Sequence, residues 1–118
     1  MLPKQYRLTN EGDYKKIYEK RKSIFLPSLS LRYLQKKEKV NSRFGFVISK
    51  KIYKNSVDRN LLKRRMRAII KKQLPNIFSG YDFIISARPG VKNKSFKEIE
   101  ADIEKLFRKS RLYAEKKD

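Results

Sequence analysis

With 118 residues, the chain has room for one domain around one modest core. Its 32 Lys and Arg against 12 Asp and Glu leave a net charge of +20; self-repulsion on that scale destabilises a small domain unless an anionic partner covers it. It has no His and no Cys, which removes the commonest general base, thiolate nucleophiles, disulfides and the usual zinc sites, so any active site of its own would have to use scattered carboxylates and a metal.

The start, MLPKQYRLTNEG, has no hydrophobic signal region, and no apolar run approaches the ~18 residues of a membrane span. The expectation is a cytoplasmic protein. Residues 9–23, TNEGDYKKIYEKRKS, open on the capping types Thr9 and Asn10 and carry Tyr14, Ile17 and Tyr18 at i, i+3, i+4, which predicts a short amphipathic helix. Residues 28–35 alternate, with Leu29, Leu31 and Tyr33 on one face, and read as a strand. After the charged turn KKEKVNS (36–42), residues 43–50 alternate Phe44, Phe46 and Ile48 against Gly45, Val47 and Ser49. That is a second strand, expected to form a hairpin with the first. YDFIISA (81–87) is a third; a fourth short strand has no clear place in the pattern.

Between the last two strands lies SVDRNLLKRRMRAII (56–70), apolar and basic at once. Asn55 or Ser56 can cap a helix there, Asp58 suits its positive end, and Pro75 marks its stop. At about 100° per residue, Leu62, Met66, Ile69 and Ile70 form a core face, and Asn60, Arg64, Arg67 and Lys71 form a stripe on the other side. Arg59 and Lys63 sit on one flank. Strand, helix and strand over this length predict a parallel pair joined by a crossover. Residues 94–113 read as the last helix, with Ser95 and Glu98 as a capping box, Phe96, Ile99, Ile103, Leu106 and Phe107 at i, i+3, i+7, i+10 and i+11, and Glu104 paired with Arg108. The expected architecture is an α+β or mixed α/β sandwich in the order α-β-β-α-β-α, with three helices on a small mixed sheet of about four strands. It is expected to be one domain over 1–118, frayed at 114–118.

An ordinary solvated helix intersperses acids among its bases. Residues 50–72 instead hold ten basic residues and one acid, so like charges stack at i, i+4 unless an anion covers them. Arginine adds bidentate recognition of phosphate. A helix-turn-helix DNA reader would need a helix and a short Gly-containing turn before the basic helix, whereas here a strand and KIYKN precede it. Tyr14, Tyr18, Arg32 and Tyr33 add aromatics and charge of the kind that holds single-stranded RNA, although Tyr rings at such spacing equally serve to fill core edges.

RFGFVISKKIYKNSVDRNLLKRRMR (43–67) resembles the central motif of the bacterial ribonuclease P protein component, R-x-G-x-x-x-S-K-K, a short turn, then A-V-x-R-N-R-x-K-R-x-x-R. Arg43, Gly45, Ser49, Lys50, Lys51, Val57, Arg59, Asn60, Lys63, Arg64 and Arg67 match position by position. YDFIISARPG (81–90) is similar to the family's following strand through Asp82, Ala87 and Arg88, and the first helix to its first helix. Leu61 stands where the family has a second Arg, Ser56 where Ala is usual, and the turn is one residue longer and lacks Gly. The resemblance implies the non-catalytic protein subunit of the ribonucleoprotein endonuclease that removes the 5′ leader from precursor tRNA. The RNA subunit would carry the catalytic centre and most of the Mg²⁺, with one protein per RNA. It also implies a left-handed crossover around the basic helix. Lys50, Lys51, Arg59, Asn60, Lys63, Arg64, Arg67 and, along the same stripe, Lys71 would face the catalytic RNA; Tyr14, Tyr18, Arg32 and Tyr33 would line a cleft for the leader; no catalytic or metal-binding residue is expected in the protein. A ribosomal-type RNA binder and a free-standing carboxylate nuclease are the competing expectations.

Overall fold

A computed structural model describes residues 2–20, 22–37 and 40–113; the predicted fraying of 114–118 lies outside them. A 3₁₀ turn at Lys4–Tyr6 precedes α1 (Glu11–Lys20), β1 (Ser23–Phe25), β2 (Leu29–Gln35), β3 (Arg43–Val47), α2 (Ser56–Gln73), β4 (Tyr81–Ala87) and α3 (Phe96–Ser110). The fourth strand is thus β1, only three residues long and too short to show an alternation of its own.

The sheet runs β1-β2-β4-β3. β2 is antiparallel to β4 from Leu29↔Ala87 to Gln35↔Tyr81, and β3 is parallel to β4 from Arg43↔Asp82 to Val47↔Ser86. The predicted parallel pair is present. The predicted hairpin between 28–35 and 43–50 is not, because β4 lies between those strands. The reason is burial: Phe83, Ile84 and Ile85 are each 0% exposed. A strand apolar on both faces belongs at the centre of a sheet, with helices above and below.

One face carries the main core. Leu29, Leu31, Phe44, Phe83 and Ile85 meet Leu62, Met66, Ile69 and Ile70 of α2 and Ile99, Ile103, Leu106 and Phe107 of α3. Phe83 stacks on Phe44 at 5.3 Å between ring centroids and meets Phe107 edge-on at 5.0 Å. Asn55 caps α2 by accepting the Val57 amide at 2.9 Å, and the Ser95–Glu98 capping box of α3 is complete in both directions.

The other face is covered by α1. Ile17 and Leu8 pack on Ile84, with Tyr14, Leu34 and Val47 at the margin. Arg43 locks α1 to the sheet. Its guanidinium donates to both oxygens of the buried Asp82 at 3.0 and 2.8 Å and to Asp13 of α1 at 3.0 Å, and the Asp82 hydrogen bonds raise its pKa further. The hydroxyl end of the Tyr14 ring comes against Gly45; a Cβ there would collide with the phenol. Two of the motif residues, Arg43 and Gly45, therefore seat α1.

Candidate nucleic-acid interface

The same periodicity that turns Leu62, Met66, Ile69 and Ile70 inward leaves Asn60, Arg64 and Lys71 exposed along α2. Lys63 and Arg67 lie toward α1, half-buried. Among the described residues, Lys72 is the one α2 cation within ion-pair distance of an acid, 3.3 Å from Glu100 of α3. Among the described residues, none of the stripe cations Arg64, Arg67 and Lys71 has an acid that close. Lys50 and Lys51 stand exposed on the β3–α2 turn. Arg59 points back: its Nη1 donates to the carbonyls of Tyr53 at 2.8 Å and Lys54 at 2.7 Å.

Lys63 and Arg67 form one wall of a cleft of about 160 Å³ whose other lining includes Leu8, Tyr14, Gly45 and Phe46. The Tyr14 hydroxyl donates to the Leu8 carbonyl at 3.1 Å. Burial raises the pKa of Tyr14, Tyr18 adds to the rise and Arg67 opposes it, so at neutral pH the phenol is an uncharged donor beside two cations. Toward β1 the surface becomes aromatic. Tyr18 is 40% exposed and Phe25 51%. The Arg32 guanidinium lies 5.1 Å from the Tyr18 ring centroid and 5.7 Å from that of Phe25, and Arg88 lies 5.4 Å from Phe25 on its own side.

Tyr14, Tyr18 and Arg32 are thus brought to one face of the sheet. Tyr33 is not. It pairs with Phe83 in register, packs against the main core, and sits 6.4 Å from both the Tyr81 and Phe83 rings. Neighbours on a strand point to opposite faces, so Arg32 and Tyr33 cannot share a cleft. Phe25 and Arg88 join the surface without having been expected there. Arg88 carries a motif signal, but Phe25 lies in a strand too short to reveal its face. A larger hollow of about 300 Å³ opens beside Tyr6, Ser42, Phe44 and Ile77. Its lining has no basic residue, and the Ser42 hydroxyl is engaged with the Phe78 carbonyl at 2.7 Å and the Tyr81 amide at 3.1 Å.

Residues 2–111 match the ribonuclease P family model. Among curated proteins, the chain is 32% identical over 114 residues to a ribonuclease P protein component of Syntrophomonas wolfei, covering 97% of this chain and 94% of that one. It is 33% identical over 106 residues to the component from Synechocystis, covering 90% and 86%. The RNase P protein of Staphylococcus aureus superposes with a TM-score of 0.84 at 28% identity, covering 93% of this chain and 99% of that one. That of Thermotoga maritima shares the fold, with a TM-score of 0.79 at 22% identity over 87% and 96%.

Proposed function

The chain belongs to the bacterial ribonuclease P protein family, and from that premise we propose that it binds the catalytic RNA of the particle along α2 and the 5′ leader of precursor tRNA in the adjoining cleft. Membership makes it a protein component of an endoribonuclease complex with an RNA partner. The finer reading rests on one observation: Lys63 and Arg67 of the acid-poor helix and Tyr14 of α1 line the same cleft. In it the α2 cations hold phosphates of folded RNA, and an unpaired strand runs over Tyr14 and Tyr18 toward Phe25 with its bases on the rings. Backbone charge dominates, so affinity falls steeply with salt and depends little on sequence.

Mg²⁺ in this reading is held by the RNA subunit and the substrate. The carboxylates on the α1 face, Asp13 and Asp82, are already engaged with Arg43, and among the described residues no group of three potential ligands converges. The chain's own contribution is positional: it screens phosphate repulsion and fixes the leader relative to the RNA. Among the described residues no helix is long and apolar enough to cross a membrane, and we place the particle in the cytoplasm with one protein per RNA.

The test is cleavage of a precursor tRNA at low Mg²⁺ by a bacterial ribonuclease P RNA, with this protein, without it, and by the protein alone. Fast cleavage by the combination only is expected. Tight RNA binding with unchanged cleavage would replace this reading with a ribosomal-type binder; cleavage by the protein alone would replace it with a carboxylate nuclease. Tyr18→Ala should weaken leader-bearing substrate more than mature tRNA, and an equal loss would remove the leader from the cleft.

A further inference from the structure

Arg59 turns one guanidinium nitrogen onto backbone oxygen. Its Nη1 donates to the carbonyls of Tyr53 and Lys54, and its own backbone amide donates to the carbonyl of Asn55 at 3.2 Å. Three consecutive carbonyls are thus gathered by one residue. Two features make this more than an incidental contact. A cation near the start of a helix faces the positive end of the dipole, so this position costs stability unless the charge has acceptors. And the turn from Ile48 to Asn55 is not shaped by a glycine or a left-handed residue. It contains no Gly, and no residue in it adopts a positive φ. Its internal order comes from the Ile52 and Tyr53 amides donating to the Ser49 carbonyl at 3.1 and 3.3 Å, and from the buried Ile52 side chain.

We propose that Arg59 is a positioning residue for the β3–α2 turn: its guanidinium clamps the Tyr53 and Lys54 carbonyls and thereby sets Lys50, Lys51 and Lys54 at a fixed distance from Lys63 and Arg67. This rests on the RNA-binding reading for its consequence, though not for its geometry. The assignment differs from a direct phosphate contact. A phosphate ligand needs the charge of residue 59; a clamp needs a donor nitrogen held where Nη1 stands, between the Tyr53 and Lys54 carbonyls, at the end of the long side chain and its planar guanidinium. A lysine keeps the charge and has N–H groups enough, but its Nζ ends a shorter, flexible and strongly hydrated stem that is not held at the Nη1 position. The clamp also gives the longer, Gly-less turn a means of keeping its cations in register.

The experiment compares Arg59→Lys, Arg59→Gln and, as a control on the exposed stripe, Arg64→Gln, all in the full-length chain. The first readout is hydrogen exchange of the Ile52 and Tyr53 amides in the free protein. Both Arg59 variants should exchange about tenfold faster or more, as expected on losing charge-assisted hydrogen bonds from a local structure, and Arg64→Gln should not. The second is affinity for ribonuclease P RNA as a function of salt. For a clamp, Arg59→Lys loses affinity nearly as Arg59→Gln does, about tenfold, while its slope against log salt stays close to that of the original chain. Unchanged exchange, or Arg59→Lys binding as tightly as the original while Arg59→Gln loses about one unit of slope, overturns the clamp and makes Arg59 a phosphate contact. If the unsubstituted chain fails to bind the RNA, the functional reading fails, and the exchange data still decide the clamp.

Discussion

Helices α2 and α3 pack on the same face of the sheet and feed the same core, but their outer surfaces obey different rules. α2 carries seven basic residues and one acid; α3 carries four of each. On α3 the charges answer one another: Arg108 donates to Glu104 at 3.0 Å, and Lys94, just before the helix, lies 4.0 Å from Glu98 and from Asp102. Among the described residues, the one pairing of an α2 cation with an acid is borrowed from α3, through Lys72 and Glu100. Every acid of α3 has a cation within reach inside the fold. α2 is complete in its apolar half and leaves its basic half to a partner. The difference shows how to separate residues that hold a small domain together from those that act outside it: the former find their counterparts inside the chain.

The comparison sharpens most in stability. Ile103 is fully buried in α3, and Ile103→Ala should cost about 3 kcal/mol in denaturant unfolding; a loss under 1 kcal/mol would mean α3 is not the anchor described here. The paired double variants come next. Arg64→Glu with Arg67→Glu on α2 should weaken binding to ribonuclease P RNA on the order of 100-fold, whereas Lys97→Glu with Lys105→Glu on α3 should change it by less than about threefold. Equal losses would show that total charge rather than its placement governs binding. The smallest effect belongs to the α3 cap. Hydrogen bonds from the Ser95 amide and hydroxyl region lower the Glu98 pKa, so the charged carboxylate stabilises the fold above its ordinary pKa, and that contribution fades as pH falls through the lowered value. Glu98→Gln should therefore destabilise slightly at neutral pH and not at all in acid, with RNA affinity unchanged at either. A cost independent of pH would assign the effect to geometry instead of charge.

Much of this was legible in the order of residues. The core face of α2, the Asn55 cap, the Ser95–Glu98 box and the Glu104–Arg108 pair are all local, set within one or two helical turns. The stripe of Asn60, Arg64 and Lys71 follows from the same period. Tyr33's side was legible too, because the alternation already sets it with Leu29 and Leu31 and apart from Arg32; which of the two faces α1 covers was not, and Phe25 was out of reach because three residues carry no usable period. Arg59 reads as one more basic residue; that it turns back onto Tyr53 and Lys54 depends on how the turn meets the helix.

By itself, then, the sequence determined the helices, their inward faces, an excess of positive charge concentrated on one of them, and through its motif the family. Those properties are short-range or compositional. The tertiary structure alone decided that β4 separates β2 from β3, that Arg32 rather than Tyr33 shares a face with Tyr18, and that Lys63 and Arg67 meet Tyr14 across a cleft. Each of these is a contact between segments far apart in the chain. Such contacts are selected by burying a two-faced apolar strand at the centre of the sheet, an energy that belongs to the assembled layers and to no single segment.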